Sequence, residues 1–351
     1  MRAEKGDIVE ALANDPLYQL SVSDQDGFHT SMLYWLLSTP PLDVATPLME
    51  ISRSFSGCIV ERDWLGLDLF VDHDMGSHKL GVVNTIHNIP NRENLQKLER
   101  VRHLTRTMVI SLIHPINELP EPWRHVPFDE LLRPLQKSAD NLRKIGSHEY
   151  EADLLGRYVN LLEKLIYLRD HHPMSTGHCD AVVLDADETR RLKDARLLQL
   201  IEKIRLSRFT ESLAQRQGVR VDINLDGPQG SVQYSVPSNS GHLFGWKYQA
   251  GRVRLTATFD YLNDGRWSGR RSQKEEFAKN NFSGFFDFTS IPGVNHELFD
   301  NTREIQWQSL EPNISYTYRR IPRGMTHEEL AEICAALTYH VEGYSDYVET
   351  T

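Results

Sequence analysis

The sequence predicts an α/β protein in three parts: a core of mixed sheet flanked by helices over residues 1–120, a helical segment over 121–217, and a β-rich part with a terminal helix over 218–351. Three observations predict it. Strand-like runs bracket a helix between residues 80 and 111, an order that implies parallel pairing under a covering helix. Apolar residues recur at three- and four-residue spacing through 127–217. Past Gly218, short β-branched and aromatic runs alternate with Gly, Asn and Pro turns. With 351 residues, 40% of them hydrophobic, the chain can bury a substantial core.

The stretch "HTSMLYWLLST" places Met32, Leu33, Trp35, Leu36 and Leu37 on one broad face, a buried helix stopped by Pro40 and Pro41. A second helix is expected over "DVATPLMEISRSF". Three strands follow in "GCIVERDW", "LDLFVDH" and "KLGVVNTI", with "DMGSH" as the turn between the last two. "RENLQKLERVRHLT" sets Leu95, Leu98, Val101 and Leu104 at helical spacing, and "RTMVISLIHP" is a fourth strand closed by Pro115. Helices then fill "FDELLRPLQKSADNLR", "HEYEADLLGRYVNLLEKLIYLRDHH" and the single run "DADETRRLKDARLLQLIEKIRLSRFTESLAQRQ", whose opening carboxylates suit a helix start. Five strands are expected in "VRVDINL", "GSVQYSVP", "HLFGWKYQ", "GRVRLTATFDYL" and "REIQWQSL". The last helix begins at Thr326, with Glu329 three residues on as its capping-box partner.

Composition narrows the functional classes. A net charge of −10 is the wrong sign for a protein that coats itself in nucleic acid, and leaves room only for a local basic patch. Cys58, Cys179 and Cys334 are isolated and odd in number, which argues against a disulfide framework and a thiolate zinc site and fits a reducing cytoplasm. No run nears ~18 apolar residues and "MRAEKGDIVEALANDPLYQL" has no leader-like core, so neither a membrane span nor a secretory signal is expected.

The order and spacing of several motifs carry a resemblance. They are "DGFHTSMLYWLLSTP" with Asp26, His29 and Trp35; Glu61; "LDLFV" with Asp68; "VVNTIH" with Asn84 and Ile86; "KLERV" with Lys97; "SLIHP"; "WRHVPFDELLRPL"; and "LLGRYVNLLEKL". Over about residues 26–215 this series resembles the PD-(D/E)XK nuclease superfamily in its bacterial branch. The resemblance implies a restriction-endonuclease-like core in which carboxylates on two neighbouring strands hold Mg²⁺ and a strand lysine steadies developing charge.

By that register Asp68 is the first metal ligand, Asn84 stands where the second carboxylate belongs, and Ile86 replaces the lysine. Lys97 lies where the family's helix has glutamine. The resemblance therefore implies a degenerate centre that binds nucleic acid, DNA or RNA, or a partner protein, in a setting of defence against phage. The alternatives are an active Mg²⁺-dependent endonuclease, with Asp68, Asn84, Glu61 or His87 around the metal and Lys97 as a migrated lysine, and a protein-interaction or sensor subunit of a larger complex.

Elsewhere, "GRWSGRRSQK" gathers Arg266, Arg270, Arg271 and Lys274 around Trp267, types suited to phosphates and to base stacking. Arg319, Arg320 and Arg323 form a second basic cluster in "YTYRRIPRG". "HHPMSTGHC" has metal-binding residue types at no zinc spacing and reads as a polar loop.

Overall fold

The computed structural model describes residues 7–24, 26–38, 59–73, 78–90, 92–100, 104–115, 119–171, 181–225, 229–238, 241–259, 271–295, 308–311 and 314–348. The chain divides into two compact units, Met1–Gly177 with Glu188–Ile204, and His178–Asp187 with Arg205–Thr351.

The first unit opens with α1 (Asp7–Ala13), α2 (Pro16–Asp24) and α3 (Asp26–Ser38), of which only α3 was predicted. Asp15 starts α2: its carboxylate accepts the Leu17 N–H at 2.9 Å, and Pro16 takes the first position, where a missing N–H costs nothing. The strands are β1 (Ile59–Trp64), β2 (Leu67–His73), β3 (His78–Thr85), then, after α4 (Arg92–Arg100), β4 (Arg106–Ser111) and β5 (Trp123–Pro127). They form one sheet in that order. β1, β2 and β3 are antiparallel neighbours, and β3–β4 and β4–β5 are parallel. The β1–β2 turn is two residues, Leu65 and Gly66, both at positive φ, the turn whose twist matches paired strands. Leu67, Phe70, Leu95, Val109 and Trp123 fuse β2, β4, β5 and α4 into a core, and the Trp123 indole donates to the Leu95 carbonyl at 3.2 Å.

Two long helices, α5 (Phe128–Ile145) and α6 (Glu149–His171), pack together across Gly146, which ends α5 in the left-handed region. The single helix predicted over 185–217 is two, α7 (Ala186–Asp194) and α8 (Leu198–Gln217). Arg196 breaks them at φ 58°, with Leu197 N–H bonded to the Leu192 carbonyl and Arg196 N–H to that of Lys193. This is a Schellman end in which arginine occupies the place that favours glycine, so nothing in the residue types marked the break.

The second unit holds β6 (Asp222–Asn224), β7 (Ser231–Pro237), β8 (His242–Gln249), β9 (Arg252–Phe259), α9 (Arg271–Phe282), β10 (Gln308–Glu311), β11 (Ile314–Arg320) and α10 (His327–Val348). Its sheet is antiparallel throughout, in the order β10-β11-β9-β8-β7-β6. Neither α9 nor β11 was expected: their stretches stood out only as basic clusters. The predicted capping box is formed, with Thr326 N–H donating to Glu329 Oε2 at 2.7 Å and Glu329 N–H to Thr326 Oγ1 at 3.2 Å.

Phe244 and Trp246 of β8 lie under α10, with buried Leu255 of β9 opposite Trp246, and the Trp246 indole donates to Thr338 Oγ1 at 2.9 Å. Gly245 is obligatory here, since a Cβ would sit 2.3 Å from the Tyr234 carbonyl oxygen. No described helix is long and apolar enough to cross a membrane. The helix expected over 43–55 and the turn at 74–77 lie outside the described residues.

Candidate functional site

β2 begins at Leu67, and its ladder with β3 runs from His73↔His78 only as far as Leu69↔Val82. Strand geometry points the N–H groups of residues 84 and 86 toward the side β2 has vacated. Two carboxylates take them. Asp68 Oδ2 accepts the Asn84 N–H at 2.7 Å, and Asp26, the first residue of α3, accepts the Ile86 N–H at 2.7 Å through Oδ1. The other Asp26 oxygen accepts the Thr85 hydroxyl at 3.2 Å, and Thr85 Oγ1 in turn accepts the Asn88 N–H at 3.1 Å. The end of β3 is thus closed by side chains from a strand and a helix.

The Asn84 side chain meets α3. It is 1% exposed, donates to Thr30 Oγ1 of α3 at 3.2 Å, and keeps Oδ1 buried with no hydrogen-bond partner. One helical turn from Asp26, His29 is fully buried, with Nδ1 3.1 Å from the Tyr158 hydroxyl and Nε2 without a partner. Beyond β3 come His87 and Asn88, and the 4%-exposed Lys203 of α8 donates to Asn88 Oδ1 at 2.8 Å.

The electrostatics follow from burial and crowding. Burial is the main force pushing the Asp68 carboxyl up to about 6. The Asn84 N–H opposes the shift, and the nearby charges of Asp26 and Asp63 add to it. His29 is driven down to about 3, first by burial and then by His87, so its ring is neutral. His87 is also held below the usual histidine range, by burial and by Lys203, against the pull of Asp26. Several titratable groups with displaced pKa values at one strand end mark this as the candidate site.

The sequence-predicted residues are placed unevenly. Asp68 and Asn84 are brought together, through main chain. Glu61 is exposed on β1 opposite Phe70, and the β1 carboxylate whose charge reaches Asp68 is Asp63. Lys97 is exposed on α4. Ile86 is buried and contributes its N–H. Arg266, Trp267 and Arg270 lie outside the described residues, while Arg271 and Lys274 fall on α9. His171 stacks on Tyr167 at 4.1 Å, and His172, His178 and Cys179 are outside the described residues.

Sequence reasoning missed Lys203. Its signal was position: it sits three residues past Leu200 and one before Ile204, a cation on the apolar stripe of α8. Among the described residues no three His, Cys, Asp or Glu side chains gather to hold a metal.

A second polar cluster lies at the ends of β4 and β5, and it is saturated. The Ser111 hydroxyl donates to the Ile113 carbonyl at 2.6 Å and so receives from His125 Nε2 at 2.8 Å, which leaves no primed nucleophile. Arg169 grips both Asp129 oxygens at 2.8 and 2.9 Å. Comparison of the chain with family models, with curated proteins and with solved structures finds no match in any of the three.

Proposed function

We propose that the first unit is a PD-(D/E)XK-like nuclease scaffold that binds nucleic acid without hydrolysing it, in a role such as defence against foreign DNA. The order α3, three antiparallel strands, α4, then a parallel strand supports the restriction-endonuclease-like core. One observation carries the loss of activity. The carboxylates of Asp68 and Asp26 are bonded to the N–H groups of residues 84 and 86, the two positions where the resemblance puts a metal-binding carboxylate and a lysine.

Mg²⁺ favours hard, charged oxygen donors. The residues present supply two carboxylates and the Asn84 amide oxygen, one negative charge fewer than the resemblance implies. Each carboxylate already has an oxygen bonded to a backbone donor. The donor set does not fit a catalytic Mg²⁺.

The test is incubation of the full chain with linear, circular and single-stranded DNA and with RNA, in Mg²⁺ or Mn²⁺. Intact substrates are expected. Cleavage that disappears in Asp68→Ala overturns the reading.

A second reading, an active endonuclease, draws on Lys203. Its ammonium lies beside Asn88 and His87 at the end of β3, whereas Lys97 is exposed on α4. That reading requires cleavage by the wild type and its loss in Lys203→Ala with the fold intact.

A further inference from the structure

The sheet of the second unit has two unlike faces. One is the core under α10. On the other, the register sets Lys247 opposite Arg254 and Gln249 opposite Arg252, and on the next ladder Tyr318 opposite Arg254 and Arg320 opposite Arg252. The four strands β7, β8, β9 and β11 contain no Asp or Glu, in a chain whose net charge is −10. The edge strand β6 carries one acid, the exposed Asp222, in the row of Gln233 and Lys247.

The cations are organised on aromatic rings. The Arg252 guanidinium lies 5.3 Å over the Tyr318 ring and the Arg254 guanidinium 5.3 Å over that of Tyr316. Tyr316 is buried beneath, while Tyr318, Arg252, Arg254 and Lys247 are partly open and Arg320 is exposed. Arg254 shows what the surface lacks. Burial lowers its pKa, Arg252 adds like charge, and its Nε is buried with no acceptor. The hydrogen bond from its Nη1 to Gln249 Oε1 is long at 3.4 Å. A guanidinium carries five donors, and one that is crowded by a second guanidinium and keeps a donor unmet is an arrangement short of an anion.

We propose that this sheet face binds a single-stranded nucleic acid, with Lys247, Arg252, Arg254 and Arg320 on its phosphates and Tyr318 and the guanidinium stacks against its bases. A single strand offers both of the things the face is built to meet, negative charge at intervals and open π faces, whereas a duplex hides its bases. An acidic peptide would engage the cations and leave the ring–guanidinium stacks without a role. The inference uses the second unit alone and stands whether or not the first unit is a nuclease scaffold.

The test is fluorescence anisotropy of the full chain with a labelled single strand of about 16 nucleotides, DNA or RNA, against the matching duplex. The single strand is expected to bind at least about tenfold tighter than the duplex. Arg252→Glu with Arg254→Glu should weaken it more than about tenfold. The milder Arg252→Gln with Arg254→Gln should lower the slope of log affinity against log salt by about 1.4, at ~0.7 per phosphate contact.

Tyr318→Ala should weaken binding several-fold and Tyr318→Phe restore it, while Lys137→Ala, which removes an exposed cation from α5 in the first unit, should leave it unchanged. Circular dichroism checks each fold, and the glutamine pair decides if the glutamate pair unfolds. The proposal is overturned if both paired variants bind like wild type, if the duplex binds equally, if nothing binds at low salt, or if polyglutamate competes as well as the oligonucleotide, which would mark an acidic protein as the partner.

Discussion

Asp68 and Asn84 meet through the main chain: the carboxylate of one accepts the N–H of the other at 2.7 Å, while the Asn84 amide turns to Thr30. The bond lets a strand end where no partner strand continues, and it does so with a group the resemblance would reserve for metal. A scaffold that uses its acid this way gains local order and gives up a ligand.

Restoring the missing charge should therefore be costly. Asn84→Asp would bury a carboxylate next to Asp26 and Asp68 with no counter-ion, and a loss of about 3–5 kcal/mol is expected in urea unfolding at pH 7. Mn²⁺ at millimolar concentration should raise the melting temperature of the variant and leave wild type unmoved. A variant as stable as wild type without metal would show the pocket is wetter than the structure indicates.

Asp68 should also shape the pH dependence of stability. Its folded pKa of about 6 lies above the unfolded value near 3.8, so the folded state holds the proton more tightly. That contribution is full below pH 4 and is lost as pH rises through 6. Asp68→Asn keeps an acceptor for the Asn84 N–H and removes the titration. The stability of wild type relative to this variant should fall by up to about 3 kcal/mol between pH 4 and 7, as read from chemical unfolding.

His29 acts in the opposite sense. Its folded pKa of about 3 lies below the ordinary 6.5, so stability is present above pH 6.5 and is lost as pH falls toward 3. His29→Phe should cost about 1–3 kcal/mol at pH 7 by leaving the Tyr158 hydroxyl unpaired. The variant should then lose less on acidification, so the two melting curves converge below about pH 5. Parallel curves would show that the ring is not buried neutral.

Arg196 holds φ 58° at the end of α7, a conformation that costs a side-chain-bearing residue roughly 1–2 kcal/mol. The Tyr18 hydroxyl bonds to its carbonyl at 3.2 Å, a contact that any residue here retains. Arg196→Gly should raise stability by about 1 kcal/mol in thermal unfolding.

Gly245→Ala should do the reverse. The added methyl meets a backbone carbonyl, which cannot swing aside, and a loss of at least about 1–3 kcal/mol is expected, or failure to fold.

Much of this architecture was legible because local pattern and tertiary role agreed. α3, the three strands to Thr85, α4 and β4 are each announced by apolar spacing, and Asp68 and Asn84 were paired through the resemblance. What was hidden obeys no local pattern. Arg196 sits where glycine would have signalled a break. α1 and α2, at 7 and 9 residues, are too short for their periodicity to stand out. β11, "ISYTYRR", stood out only as a basic cluster because its outward face carries tyrosine and arginine in place of the expected polar residues. Lys203 reaches Asn88 from 115 residues away, a contact that only the packed fold reveals.

The side-chain closure of β3 bears on how the sheet tolerates a change at its centre. β3 is the middle strand of five and residues 84–86 are buried, so no second chain reaches their N–H groups. A backbone donor stranded there without Asp26 or Asp68 has neither water nor a strand to turn to, at a cost of about 1–3 kcal/mol each. Stripped of both carboxylates, the middle strand would fray at this end first, and the sheet around it would follow.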